Sequence, residues 1–343
     1  MNISMEMMLT RLIKTKCDAY VSNFDFGLSV TYNRSKIGEC VQRILKGDFV
    51  PSEATDIALN TMGCMWNATY MVDKHSVSVT FLQSKGSKSR VIRVLHFLNR
   101  ILQVIDALNP YTSNQPLQLY LFDLDFPKVY QKGEIPSPKH VNTGVRYDNI
   151  VIVYRREEMG KVLIHELLHR FGFEMVFNKE HDKQIRQIKR FFSVEDIVLN
   201  EAYVDALAMV MNTSFYATMM KRPFESLWVK ELKHIMKQAA CLSAIYQEEF
   251  KGRKIVEKTN GLSYYVIKAM ILMGVGLTGV TRASWIVHSG QSFDKQKRTI
   301  SSLLKHIIDG FKPCSEFWKY YRTLSKTPCR HGSSLRMSTL DCI

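Results

Sequence analysis

An α+β fold is what the sequence predicts, and three observations predict it. Runs rich in β-branched and aromatic residues at 76–82, 117–122 and 149–154 lie between polar breaks, as strands do. From 193 to 323 apolar residues recur mostly at helical spacing. Between these regions lies one short helix, 157–173, with two histidines four residues apart. The expected layout is a small N-terminal mixed α/β part whose sheet flanks that helix, followed by a mostly helical C-terminal domain.

The elements follow in order. Residues 5–20 have helical spacing, and 52–64 form a second helix after Pro51. The strand at 76–82 ends in a polar break at 85–89. From 91 to 108, Val91, Val94, Leu95, Leu98, Ile101, Leu102, Ile105 and Leu108 fall on one helical face. Asn109-Pro110 ends that helix. A Pro-containing loop follows the strand at 117–122. Residues 141–146 and 149–154 read as paired strands around a turn. Helix 157–173 begins with acidic residues, which suit the macrodipole. Further helices are expected at 194–219, 223–250, 261–276, 294–309 and 313–323. The division expected is 1–110, an α/β region without an assigned role; 111–323, a catalytic region; and 324–343, an irregular basic tail.

Composition excludes several classes. The apolar run 269–281 is broken by glycines and bounded by Lys268 and Arg282. It is shorter than the ~20 residues of a membrane span, so no transmembrane segment is expected. Glu6 and the basic residues that follow prevent a signal-peptide core. An intracellular protein is therefore expected. The seven scattered cysteines lack CxxC spacing and read as reduced thiols. Net charge is +15. That permits a weak anionic partner, yet the basic residues are spread in small groups and form no nucleic-acid motif.

The chemistry concentrates in Val162-Leu163-Ile164-His165-Glu166-Leu167-Leu168-His169, an H-E-x-x-H pattern. Residues i and i+4 of a helix are about 40° apart, so both imidazoles can grip one ion. Glu166 lies about 100° round from His165. It sits beside such an ion and can take a proton from a water that zinc has acidified. A third protein ligand is needed. Met175 occupies the position where metzincins carry a third histidine, and a thioether suits catalytic zinc poorly. Gly172 then reads as the helix C-terminal glycine. Glu174, Glu180, His181 and Asp182 are weaker alternatives. Downstream, Asn200-Glu201-Ala202-Tyr203-Val204-Asp205 puts Glu201 and Asp205 on one helix face.

This last string resembles the N-E-x-x-x-D motif of gluzincins, the thermolysin-like zinc metallopeptidases. The resemblance implies that Glu201 is the third ligand and that Asp205 fixes a ligating histidine through its free ring N–H. The stretch from Ile150 to Glu166 also resembles a family of proteins encoded by giant DNA viruses. Similar features recur at 200–205, 259–268 and 334–338, so the likeness covers roughly 115–340. It implies a host-cytoplasmic or virion location.

Two further pairs are candidates. In gluzincins an edge strand before the zinc helix binds substrate backbone, which makes Asn142 and Gly144 candidates here. Tyr264 and Tyr265 lie 63 and 64 residues after Glu201. Some gluzincin aminopeptidases place a transition-state tyrosine at a comparable distance. Only one of the two can face the ion, and the spacing slightly favours Tyr265. His140, His234 and His288 read as structural. The expectation is a metallopeptidase using one zinc per chain, acting on a peptide or protein. The competing expectation is a virion-associated or scaffold protein that keeps the fold without turnover.

Overall fold

The computed structural model describes residues 5–18, 25–111, 114–131, 133–277, 286–310 and 333–343, with 312, 315 and 319. Strands β1 (Ser29–Thr31), β2 (Cys64–Val72) and β3 (His75–Gln83) form an antiparallel meander. Strand β3 runs parallel to β4 (Leu117–Phe122), and β4 runs parallel to β6 (Ile150–Val153). Strand β5 (Gly144–Tyr147) pairs antiparallel with β6 through a two-residue turn and forms one edge. The result is a six-stranded mixed sheet within an α+β fold. Helix α4 (Lys88–Leu108) is the crossover between β3 and β4. Residues on both sides of position 110 therefore share one sheet.

Alternation along the strands gives the sheet two apolar faces. Leu117, Leu119, Leu121, Val151 and Val153 pack on the side that holds α4 and α1 (Met5–Asp18). Leu82, Phe122, Ile152 and Tyr154 pack on the other, against α2 (Arg34–Ile44) and α3 (Ser52–Thr61). The seven apolar positions of α4 from Val91 to Ile105 are all buried, as their spacing requires. Strands β1 and β2 and helix α2 were not foreseen. Asn67 and three methionines or cysteines dilute the strand character of β2, whose stability comes from nine paired positions with β3.

Beyond the sheet the chain is helical. After a four-residue helix, α5 (Pro138–Val141), come α6 (Met159–Arg170), α7 (Asp182–Phe192), α8 (Leu199–Met219) and α9 (Phe224–Phe250). A π-helical turn, Leu262–Ile267, leads into α10 (Lys268–Leu277), and α11 (Phe293–Gly310) follows. Helix α6 lies between the sheet edge and α8, and every residue from Met159 to Leu168 is buried. Residues 313–323, expected as a helix, fall mostly outside the described residues. The last eleven residues are irregular, but they enter the core through Leu335, Met337, Leu340 and Cys342. Ser338 N donates to Glu158 Oε1 (2.6 Å), at the start of α6. Among the described residues no helix is long and apolar enough to cross a membrane. Cys17, Cys40, Cys64 and Cys342 are free, whereas Cys241 is disulfide-bonded, which corrects the all-thiol expectation.

Arg155 ties the loop before β5 to the end of β6. It is fully buried, donates from Nε to Asn142 O (2.8 Å) and from its terminal nitrogens to the carbonyls of Phe126 and Lys139. Its guanidinium stacks over Phe126, 4.0 Å from the ring centroid. Arg155→Met keeps the length and orphans three buried carbonyls. Urea denaturation should show a loss of about 3 kcal/mol or more, at ~1–3 kcal/mol per orphaned group. A loss below about 1 kcal/mol would show that this loop is not held by the guanidinium.

Candidate metal centre

Helices α6 and α8 pack so that two i, i+4 pairs face each other: His165 and His169 on one, Glu201 and Asp205 on the other. His165 Nε2 lies 3.1 Å from Glu201 Oε2, and His169 Nε2 lies 3.3 Å from the same oxygen. The two Nε2 atoms are 3.2 Å apart. Bonds of about 2.0–2.1 Å in a tetrahedral ion would set ligand atoms about 3.3 Å apart. The observed triangle fits that spacing. Two imidazole nitrogens and a carboxylate oxygen, with no thiolate, also suit zinc chemically.

Each histidine is held from behind by a carboxylate. His169 Nδ1 lies 2.7 Å from Glu174 Oε1. His165 Nδ1 lies 3.1 Å from Asp205 Oδ1, somewhat off the line of a straight hydrogen bond. Asp205 is buried, and its other partners are two ammonium groups: Lys161 contacts Oδ1, and Lys268 Nζ lies 2.7 Å from Oδ2. Burial alone would raise the Asp205 carboxyl, but the two lysine charges hold it well below its usual range. Asn200 pairs its amide with both main-chain groups of Met175 (2.8 and 3.2 Å), fixing the chain just beyond α6. Gly172 has φ +74 and ends α6, as expected. A Cβ there would meet Ser289 Oγ at 2.6 Å.

The remaining candidates separate. Glu166 lines a cleft of about 300 Å³ together with His165, His169, Glu201 and Tyr264. Burial raises its carboxyl above the usual value, against the lowering pull of the two imidazoles. Tyr264 Oη donates to Glu201 Oε2 at 2.8 Å. Tyr265 turns away and donates to Leu335 O at 2.6 Å. The slight preference for Tyr265 is thus corrected: only one of the pair faces the cleft, as expected, but it is Tyr264, because Tyr265 shares the buried face of Leu262 and Val266 at i, i+3 and i+4 spacing. Gly144 allows β5 to approach α6. A Cβ would meet Val162 Cγ1 at 2.7 Å, Ile152 O at 2.9 Å and Glu166 Oε1 at 3.2 Å.

Asn142 lies in the same wall, but its polar groups are engaged. Its N–H donates to Pro138 O, its carbonyl accepts from Arg155, Nδ2 donates to Phe49 O (3.3 Å), and Oδ1 accepts from Thr259 (2.7 Å). It holds the wall together. Among the weaker alternatives, Glu180 pairs with Lys297, and His181 is buried beside Ser301. Glu174 touches His169 on the nitrogen away from the triangle. Sequence reasoning weighed Glu174 only as a ligand and missed Lys161, Lys268, Arg146 and Phe49. Of the two lysines only Lys268 carried a signal: it opens an otherwise apolar helix.

Protons compete for this centre. Burial pushes His169 down, but hydrogen bonds to Glu174 and Glu201 outweigh it and hold the imidazole at about 10. Burial raises Glu201, and the two histidines more than offset it, keeping its carboxyl well below the usual range. A metal must displace the His169 proton. Against burial, hydrogen bonds to Asp205 and Glu201 hold His165 above its usual value as well, so apparent zinc affinity should rise at least tenfold per pH unit from about pH 6.5 to 9. Titration calorimetry checks this, and a flat affinity would refute the competition. The raised imidazole stabilises the metal-free fold fully below its unfolded value of 6.5, and that contribution is lost as pH rises through about 10. Glu201→Ala should weaken zinc by more than the ~10–100-fold expected for Glu174→Ala or Asp205→Asn. His181→Ala should leave zinc binding unchanged.

No family model, curated protein or solved structure matches this chain, so function must be argued from these side chains.

Proposed function

We propose that the protein is a zinc-dependent peptidase. The observation that carries this reading is the triangle of His165, His169 and Glu201 ligand atoms, 3.1–3.3 Å apart, opening into a cleft that also holds Glu166. Zinc bound there would act as a Lewis acid, polarising a carbonyl and acidifying a water. With three protein ligands, one coordination position stays open, as catalytic sites require.

The chain's own groups supply the rest. Glu166 is the general base: its raised carboxyl accepts a proton more readily than an exposed glutamate and returns it to the leaving amine. Burial and the charges of Glu201 and Glu166 hold the Tyr264 phenol well above its usual pKa. It therefore stays protonated and can donate to the oxyanion that develops on the scissile carbonyl. Asp205 and Glu174 orient the two imidazoles.

Substrate positioning falls to β5. Tyr154 N donates to Thr143 O, which sets the alternation of the β5–β6 ladder. The main-chain groups of Gly144 and Arg146 consequently face away from β6, toward the free edge. An extended peptide could add there as a strand beside Glu166. This supports a peptide in preference to a small molecule.

Glu166→Gln keeps size and removes the base. Turnover of casein-derived peptides should fall by about 100-fold or more while zinc content stays the same. Unchanged turnover would refute the role, and loss of zinc would make Glu166 a ligand. Tyr264→Phe should lower kcat by roughly 10²–10³-fold. Tyr265→Phe should affect stability alone, by about 1 kcal/mol. Equal kinetic effects from both tyrosines would contradict the assignment of Tyr264.

A further inference from the structure

A second cavity, of about 350 Å³, adjoins the metal cleft. The two share Phe49, Val198 and Asn260 in their walls. Three large apolar side chains that the fold leaves in solvent gather at this cavity: Phe49 (48% exposed), Val198 (40%) and Val256 (56%). Exposed apolar residues scattered singly need no explanation, but a group beside a reactive centre points to a ligand.

Phe49 comes from the loop between α2 and α3, in the N-terminal segment. Its ring is exposed, yet its main chain is anchored. Phe49 O accepts from Asn142 Nδ2 (3.3 Å) and from Tyr154 Oη (3.2 Å), so the loop is tied to the wall beside β5. Three of the four charged groups in the cavity wall have partners, and the fourth, Lys258, lies exposed at its rim. Asp196 pairs with Lys189 at 2.7 Å, and Glu195 lies 3.8 Å from Lys254. The Glu257 carboxylate accepts from Tyr246 Oη and Leu262 N. Apart from Lys258, what the wall offers unspent is the apolar surface of Phe49, Val198 and Val256.

We propose that this cavity is a side-chain subsite for one bulky apolar residue, aliphatic or aromatic, of an extended peptide bound across the metal cleft. The proposal rests on the peptidase reading and assigns the N-terminal segment a role in selectivity. A peptide lying along the edge of β5 passes Phe49 on its way from one cavity to the other. Its apolar side chain would cover the Phe49 ring, Val198 and Val256, removing from water the surface that the fold leaves exposed.

The test uses the full chain carrying Glu166→Gln, zinc-loaded and zinc-stripped. Fluorescein-labelled dodecapeptides of Ala and Ser, with Phe, Leu, Lys, Asp or Ala scanned through each position, are titrated by anisotropy. Phe and Leu should bind about tenfold or more tighter than Ala at one position, within the range a hydrophobic pocket affords. Phe49→Ala and Val256→Ser, each added to that background, should reduce the preference to about threefold or less, with melting temperature and zinc content unchanged. A preference that survives both changes would overturn the proposal. So would a preference for Lys, or no peptide binding at all. Cleavage by the chain with Glu166 intact is read separately by mass spectrometry. If the preference depends on Phe49 but no peptide is cut, the subsite stands and the peptidase reading fails. If peptides are cut with a preference indifferent to Phe49, the reading stands and the subsite fails.

Discussion

The buried carboxylate of Asp205 is the constraint on which the site is built. It meets Lys161 and His165 from α6 and Lys268 from α10, so one charge on α8 joins three helices. All four groups are at least nine-tenths out of solvent. An isolated buried charge is strongly unfavourable, and removing one partner from such a set is more costly than never having built it. The cluster therefore locks the relative placement of α6 and α8. That placement, in turn, puts His165 and His169 opposite Glu201.

A second buried pair anchors the start of α6. Glu158 stands at its N-cap with φ +61, a conformation uncommon outside glycine. Its carboxylate meets Lys128 at 2.8 Å and accepts from Ser338 N, while Glu158 N donates to Asp341. The acidic start of this helix therefore serves the docking of Lys128 and of residues 333–343 more directly than the macrodipole. The strained turn persists because two separate segments, around Lys128 and at 333–343, fix it. Fixed at Glu158 and again at Asp205, the helix cannot rotate its histidines away from the cleft.

What was legible in the sequence was local. The i, i+4 spacings of His165 and His169 and of Glu201 and Asp205 state by themselves which side chains share a face, and the structure pairs those faces. The α+β class followed from strand runs and helical periodicity in the same local way. Non-local partners were not legible. Nothing near Phe49 in the chain announces its contact with Asn142, 93 residues away. The ties from Asp205 to Lys161 and Lys268 span 44 and 63 residues. Tyr264 and Tyr265 show a subtler limit. The choice of Tyr265 leaned on the polar Lys268 that follows it, but Lys268 is itself buried against Asp205, so it marks no turn toward the cleft. Tyr265 is carried into the core with Leu262 and Val266, and Tyr264 is left beside Glu201.

The two imidazoles are not backed equally, and this difference shapes the centre. Glu174 is half-buried and accepts from His169 across 2.7 Å, with one cation near it, Arg146, at 3.9 Å. Its charge is therefore largely available to the imidazole. Asp205 has its charge already matched by two ammonium groups, and it meets His165 at 3.1 Å off the direct line. A carboxylate so neutralised donates less to the ring it holds. His169 is accordingly the more strongly polarised imidazole, and His165 the more deeply buried one. In the proposed zinc site the first would supply more electron density to the ion, and the second would hold it near Glu166. If Glu166 is the general base proposed above, its place next to His165 in sequence would keep the proton acceptor and the ion in one frame, the positional requirement that proton transfer within hydrogen-bond reach imposes.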